Sequence, residues 1–315
     1  MKAPLQFVSA QLFLVLATDD FDIERRVYCP TGLLGSHMKS AVLDTPHIAF
    51  VGAGNMASSI IGGLIASGHP AACISAADPF PASLQRLRES APVAVYNDTA
   101  AAARAADIVI LAVKPQIMAE ATDSIAAVVR ANNAVVISIA AGVTIASMQA
   151  RLGPEAAIVR CMPNTPALLQ HGASGLFAND NCSAQQRDFA QRILSAVGVT
   201  CWVDSEQKLD AITALSGSGP AYFFLFIEAM IDAGKALGLD AEIATKLALQ
   251  TSLGASNMAL QSDVDLAELR RRVTSPGGTT ECAVQSFEQN GLRKIVAGAM
   301  QAAADRAAEM ARDMG

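Results

Sequence analysis

The stretch His47–Gly68, HIAFVGAGNMASSIIGGLIASG, decides the fold. A short run of apolar, strand-prone residues stops at Gly52-Ala53-Gly54-Asn55-Met56-Ala57, and helical periodicity then continues to Gly68. The six residues fit G-x-G-x-x-G/A, and they lie between a strand and a helix, where the mechanism of that motif needs them. Gly52 permits a sharp turn, and Gly54 lets the backbone approach a pyrophosphate. Ala57 keeps the helix close to the strand, while the helix N-terminus offers amide donors to the phosphates. The stretch therefore reads as the first βαβ unit of a dinucleotide-binding domain.

The same alternation continues outward. CISAADP (73–79) is a second strand and ASLQRLRES (82–90) a second helix. ADIVILAVKP (106–115), NAVVISIAAG (133–142) and AAIVRCMPNTP (156–166) are near-continuous apolar runs, as expected of parallel strands covered on both faces. Strands alternating with helices across short loops predict an α/β, Rossmann-type doubly wound sheet over residues 46–204. After about Trp202 the texture changes to Ala-rich, Met-dotted helical sequence with no strand pattern. Residues 205–315 are expected to form an all-α oligomerisation domain. Its apolar content is high for about a hundred residues of bundle, which implies a homo-oligomeric interface.

Composition narrows the function. The chain has 315 residues, 52% hydrophobic and 17% charged, with net charge -6, so it can bury a large core in two domains. Without a basic tract, nucleic acid and anionic membrane surfaces are poor partners. Six scattered cysteines without a CxxC pair suit a reducing, cytoplasmic setting. Four histidines at unrelated spacings give no metal site, so none is expected. Leu12–Ala17 and Ala221–Ile231 (AYFFLFIEAMI) are too short to span a bilayer, and the second is read as a buried helix. Residues 1–45 carry an apolar run without a cleavage pattern and a GSHM sequence at 35–38 resembling a tag scar. They are set aside as an N-terminal extension, disordered or artefactual.

Strand ends in such sheets carry the ligand contacts. Asp78, closing the second strand, stands where a carboxylate grips adenosine ribose hydroxyls, favouring NAD and repelling a 2′-phosphate. A turn-initiating Asp before Pro79 explains it equally. Lys114-Pro115 ends one strand at the crevice, and the small residues Ala140-Ala141-Gly142 end the next, leaving room for a flat nicotinamide. Far along the chain, SPGGTTECAVQSF (275–287) reads as a hydroxyl-rich loop opening onto a helix. Such a loop is an anion site, or simply a turn with Thr279 or Thr280 as N-cap.

Six stretches together resemble one family: FVGAGNMA (50–57), AVKPQ (112–116), SIAAGVT (138–144), RCMPNTPALL (160–169), ALSGSGPAYFF (214–224) and RRVTSPGGTTECAVQSFEQNGL (271–292). In order and spacing they are similar to pyrroline-5-carboxylate reductase, over about 47–310. The resemblance implies reduction of 1-pyrroline-5-carboxylate to L-proline by NADPH or NADH, the final step of proline biosynthesis, in a dimer that in this family often assembles into decamers. Carried over, the cofactor would meet Val51, Gly52, Ala53, Gly54, Asn55 and Met56, then Ala77, Asp78 and Pro79, then Asn97. It would also meet Ala112, Val113, Lys114 and Pro115, and Ile139, Ala140 and Ala141. Substrate would meet Asp263, Ser275, Gly277, Gly278, Thr279 and Thr280. Asp263 stands where related enzymes often carry Glu, and Asp78 where they often carry small or hydroxyl residues beside a 2′-phosphate.

The chemistry accords with that set. Reducing a cyclic imine needs a hydride at the C=N carbon, a proton on nitrogen and a fixed carboxylate. A protonated imine is already electrophilic, so position matters more than a strong side-chain acid. The glycine amides at 277 and 278, the helix dipole and Ser275 would hold the carboxylate. Thr280 is the candidate catalytic residue, bonding the ring nitrogen or the water that protonates it. Two other readings remain: a β-hydroxyacid dehydrogenase, which needs a base on its alcohol, and a non-catalytic nucleotide-sensing protein. SGSGPAYFFLFIEAM (216–230) supplies no lysine for the first, and the intact SPGGTT loop speaks against the second.

Overall fold

The structure is a computed structural model and describes residues 45–314. All but the last residue of the N-terminal extension lies outside the described residues. Eight strands, β1 (Ile48–Val51), β2 (Ile74–Ala77), β3 (Ala94–Tyr96), β4 (Ile108–Leu111), β5 (Val135–Ser138), β6 (Ile158–Met162), β7 (Gly172–Ala178) and β8 (Gly198–Trp202), form one sheet. Its order is β3-β2-β1-β4-β5-β6-β7-β8. β6 and β7 pair antiparallel, and the other neighbouring pairs are parallel. Between the strands run α1 (Asn55–Ala66), α2 (Pro81–Ser90), α3 (Thr99–Ala103), α4 (Met118–Asn132), α5 (Ile145–Leu152) and α6 (Ala184–Ser195). The order in which strands are added reverses between β1 and β4, and this switch point opens a crevice at the carboxyl ends of the strands.

Two apolar clusters explain the unbroken hydrophobic runs. Ile48 and Phe50 of β1 point into one cluster with Ile60, Ile74 and Ile110. Ala49 and Val51 point into the other with Val109, Leu111, Ile125 and Val136. Every residue of β1, β4 and β5 is buried, so alternation vanishes from their sequence.

Three strands are not legible in the sequence. β3 is a three-residue edge strand with two exposed residues. β7 reads GASGLFA, and its glycines hide the β-pattern. β8 pairs only with β7, which leaves its Val199 66% exposed. Tertiary pairing overrides local propensity in each.

Beyond Trp202 only helices follow among the described residues: α7 (Lys208–Ile212), α8 (Gly219–Ala236), α9 (Ala241–Gln261), α10 (Leu266–Arg272), α11 (Thr279–Gln289) and α12 (Leu292–Met314). The described residues belong to one compact unit. The segment Ser216–Pro220, for all its glycines and proline, lies inside a continuous helical run. A π-helical turn, Thr213–Gly217, joins α7 to α8 into a run of 29 residues, Lys208–Ala236. By length and composition that run could cross a membrane, which corrects the measure taken from residues 221–231 alone. The expected burial is also absent within this chain: Phe223, Phe224 and Leu225 are 66%, 68% and 67% exposed. Apolar side chains of α9, among them Leu247, Leu253 and Met258, are exposed beside them. α8 packs on α9, and α12 returns to pack on α7 and the π-helical turn.

Candidate active site

The residues expected to meet the cofactor converge because the ladder runs one residue past the strand ends. Gly52 N–H donates to the Ala77 carbonyl at 2.7 Å, Ala112 N–H to Val51 at 2.8 Å and Ile139 N–H to Leu111 at 3.1 Å. This sets the Gly52 turn, Ala77-Asp78, Ala112 and Ile139 side by side on one ledge. Asn97 follows β3 at the same edge, exposed in a bend. Gly52 has φ +100°, and a Cβ there would sit 2.5 Å from the Ala112 carbonyl oxygen, so only glycine fits. α1 starts at Gly54 without a side-chain cap, leaving its first-turn amides open to a phosphate.

Asp78 is only 9% exposed and is held from two sides. Its Oδ2 accepts from Ala53 N–H at 2.8 Å and its Oδ1 from Phe80 N–H at 2.8 Å. The carboxylate thus ties the glycine turn to the turn after β2, and Ala53 spends its amide on that tie. Lys114 is exposed and precedes a short 3₁₀ turn, Pro115–Ile117.

Beyond Ala140-Ala141 the chain turns at Gly142, which has φ +74° and lies against Met310 of α12. α5 then begins with Thr144 as N-cap, and Ile145 N–H donates to Glu206 Oε1 at 2.8 Å. The same oxygen meets the Arg160 guanidinium at 2.6 Å, and that side chain is 8% exposed. Asp210 lies in the same neighbourhood; burial pushes its carboxyl up, and Arg160 pulls it partly back. Both ends of the helical half, the turn leading into α7 and the end of α12, therefore touch the loop that follows Ile139–Ala141. Sequence reasoning did not single out Glu206 or Arg160, because their pairing spans 46 residues.

Asn164 is 9% exposed, accepts from Ala173 N–H at 2.9 Å and donates to Ser216 O at 3.0 Å. It fastens the turn after β6 to the π-helical turn. Gly217 approaches Met162 there. Such single π turns recur at functional sites.

The Ser275–Thr280 loop opens α11 as expected, but with a different donor set. Gly278 is the N-cap and no side chain caps the helix, so neither Thr279 nor Thr280 is consumed that way. The glycine amides are not free, which corrects the expectation for them. Gly277 N–H donates to Glu281 Oε2 at 2.7 Å, and Gly278 N–H to the Ser275 carbonyl at 3.0 Å. The open donors are the first-turn amides of α11 and the hydroxyls of Ser275, Thr279 and Thr280. Asp263, in the α9–α10 connection, is exposed.

The structure brings the expected cofactor residues together, but it does not bring the expected substrate residues to them. Ser275, Gly277, Thr279 and Thr280 are exposed. The hydrogen bonds and ion pairs of residues 262–291 stay within 262–295. α11 packs on α12, and its Phe287 meets Phe226 of α8 with ring centroids 6.0 Å apart. No cluster of His, Cys, Asp and Glu suited to a metal ion occurs among the described residues.

Comparison with known proteins covers both halves. Residues 206–310 match the family model described as pyrroline-5-carboxylate reductase dimerisation. Residues 47–142 match that of NADP oxidoreductase coenzyme F420-dependent. Pyrroline-5-carboxylate reductase of Pseudomonas aeruginosa is 52% identical over 273 residues, covering 87% of this chain and all of that protein. The Pasteurella multocida enzyme is 45% identical over 84% of this chain and 97% of its own length. Among solved structures, a pyrroline-5-carboxylate reductase of Coxiella burnetii is 42% identical, with a TM-score of 0.82 over 85% of this chain and 99% of that one. The Plasmodium falciparum pyrroline carboxylate reductase, solved with NADP bound, is 30% identical with a TM-score of 0.75, over 85% and 99%.

Proposed function

The chain belongs to the pyrroline-5-carboxylate reductase family, and from that premise we propose that it reduces 1-pyrroline-5-carboxylate to L-proline with NAD(P)H, closing proline biosynthesis. Residues 46–204 would hold the cofactor, and residues 205–315 would hold substrate and form the dimer. The observation that carries the reading is the continuous ledge from Asp78 across Gly52 to Ile139, whose turn leaves no space for any residue but glycine at 52.

The residues present fit a dinucleotide. Gly52, Gly54 and the open start of α1 suit its pyrophosphate; Ala77–Pro79 and Asn97 lie where the adenosine half would rest. Ala112–Pro115 and Ile139–Ala141 suit its nicotinamide half. When bound, the nicotinamide supplies the hydride, and the C=N carbon of the protonated imine receives it as the π pair moves to nitrogen. Ser275 and the first-turn amides of α11 hold the substrate carboxylate. Thr280 hydrogen-bonds the ring nitrogen, directly or through a water, and keeps its proton in place while the secondary amine of proline forms.

The loop and the ledge must meet for this chemistry. We read the exposed apolar faces of α8 and α9 as a dimer surface, through which one subunit offers its Ser275–Thr280 loop to the crevice of the other. The match of residues 206–310 to a dimerisation family supports this, as does the loop's lack of any hydrogen bond to its own sheet. A dimer also covers the Lys208–Ala236 helix without a membrane. Further assembly into a decamer, and a cytoplasmic location, complete the reading.

The test is oxidation of NADH and NADPH by the purified protein, dependent on 1-pyrroline-5-carboxylate. No turnover with either cofactor, together with oxidation of 3-hydroxyacids, would overturn it.

A further inference from the structure

We propose that Asp78 makes this reductase select NADH over NADPH. The inference rests on the dinucleotide reading of the crevice and adds to it which of the two cofactors the crevice takes.

Asp78 closes β2, and its backbone stands next to the Gly52 turn through the Gly52 N–H to Ala77 carbonyl bond of 2.7 Å. That is the strand end at which adenosine ribose hydroxyls are read in this topology. An Asp on a free loop could swing away from an incoming phosphate. Here Ala53 N–H and Phe80 N–H, each at 2.8 Å, grip one carboxylate oxygen apiece. Each oxygen keeps a second lone pair, so the carboxylate can still accept from a 2′- or 3′-hydroxyl. It cannot turn aside from a 2′-phosphate, whose charge lies between about -1.5 and -2.

The surrounding residues give a phosphate little to pair with. The turn itself is Ala77-Asp78-Pro79-Phe80, without a cation. The next basic residues, Arg86 and Arg88, belong to α2, where Arg86 donates to Ser83 Oγ at 3.3 Å. Phe80 is 68% exposed at the rim and offers an apolar face to the adenine rather than a charge to the phosphate. A site that prefers the 2′-phosphate would need an arginine at this turn or a small neutral residue in place of the acid.

The experiment compares kcat/KM for NADH and NADPH at saturating 1-pyrroline-5-carboxylate. In the unaltered enzyme NADH should be favoured by about tenfold or more, corresponding to about 1.4 kcal/mol or more. Because the cause is charge repulsion, the ratio should narrow as ionic strength rises. Asp78→Ser should shift the ratio towards NADPH by at least about tenfold, chiefly through KM for NADPH. As Asp78 also ties two turns together, that variant can fail to fold. Competition on the unaltered enzyme then decides: 5′-AMP should displace bound NADH at concentrations where 2′,5′-ADP does not. A preference for NADPH, an unchanged ratio in folded Asp78→Ser, or tighter binding of 2′,5′-ADP than of 5′-AMP overturns the proposal. Loss of turnover with both cofactors would instead count against the reductase reading, and the competition would still decide Asp78.

Discussion

At the scale of single residues, Thr280 and Cys161 allow opposite predictions. Thr280 stands in the first turn of α11 with its hydroxyl unspent on capping, so Thr280→Ala removes no cap and, on the proposed mechanism, removes the contact to the ring nitrogen. Turnover should fall by about a hundredfold, the scale of one lost proton-transfer aid, while cofactor affinity stays within about twofold. Steady-state rates set beside fluorescence titration of NADH check this; an equal loss in affinity would make Thr280 structural. Cys161 is buried in β6, and burial pushes its thiol up from 9.0 to about 12. The folded protein therefore keeps it as the unreactive thiol at pH 8, and iodoacetamide should label exposed Cys201 well before it. The same shift has a definite sign for stability. Below pH 9 its contribution is fully present, and it is lost as pH rises from 9 towards 12, because only the unfolded chain then releases the proton. Urea midpoints measured across that range should fall, and Cys161→Ala should lessen the slope.

At the scale of elements, the junction of α7 with the sheet is the informative one. Glu206 holds the buried Arg160 guanidinium and the first amide of α5 with a single carboxylate oxygen. Glu206→Ala leaves that cation unpaired, at a cost of about 3–5 kcal/mol in denaturant unfolding. Glu206→Gln keeps an acceptor for Ile145 and should cost clearly less. Equal losses for the two variants would show that the charge pairing carries the whole contribution and that the acceptor for Ile145 adds nothing. The same elements explain where sequence reading stopped. β1, β4 and β5 were legible because both faces are covered and each strand is one apolar run. β7 and β8 were not, since their order comes from pairing with each other rather than from their own residues.

At the scale of the whole molecule, the separation of ledge and loop predicts complementation. Gly52→Ala places a methyl against the Ala112 carbonyl and should abolish cofactor binding. Thr280→Ala disables the loop. If each active site draws its ledge from one subunit and its loop from the other, mixed dimers of the two variants regain one intact site out of two. Co-expression should restore activity to about a quarter of the unaltered level, from random pairing of equal amounts in which half the dimers carry one working site. Activity no higher than the sum of the two variants alone would place loop and ledge in the same subunit's site.

The sequence by itself determined the α/β half, the position of the glycine turn and the family, because these rest on local patterns: a period, a spacing, a turn that only glycine makes. It also marked the SPGGTT loop as a place for an anion. Only the tertiary structure decided which donors remain there, for the amides of Gly277 and Gly278 are spent within the loop on Glu281 and Ser275. It likewise decided that Asp78 is fixed by two amides, that Arg160 and Glu206 meet, and that the apolar helix Lys208–Ala236 lies open within its own chain. Hydrogen-bond partners and burial depend on residues distant in sequence, and no local pattern carries that information.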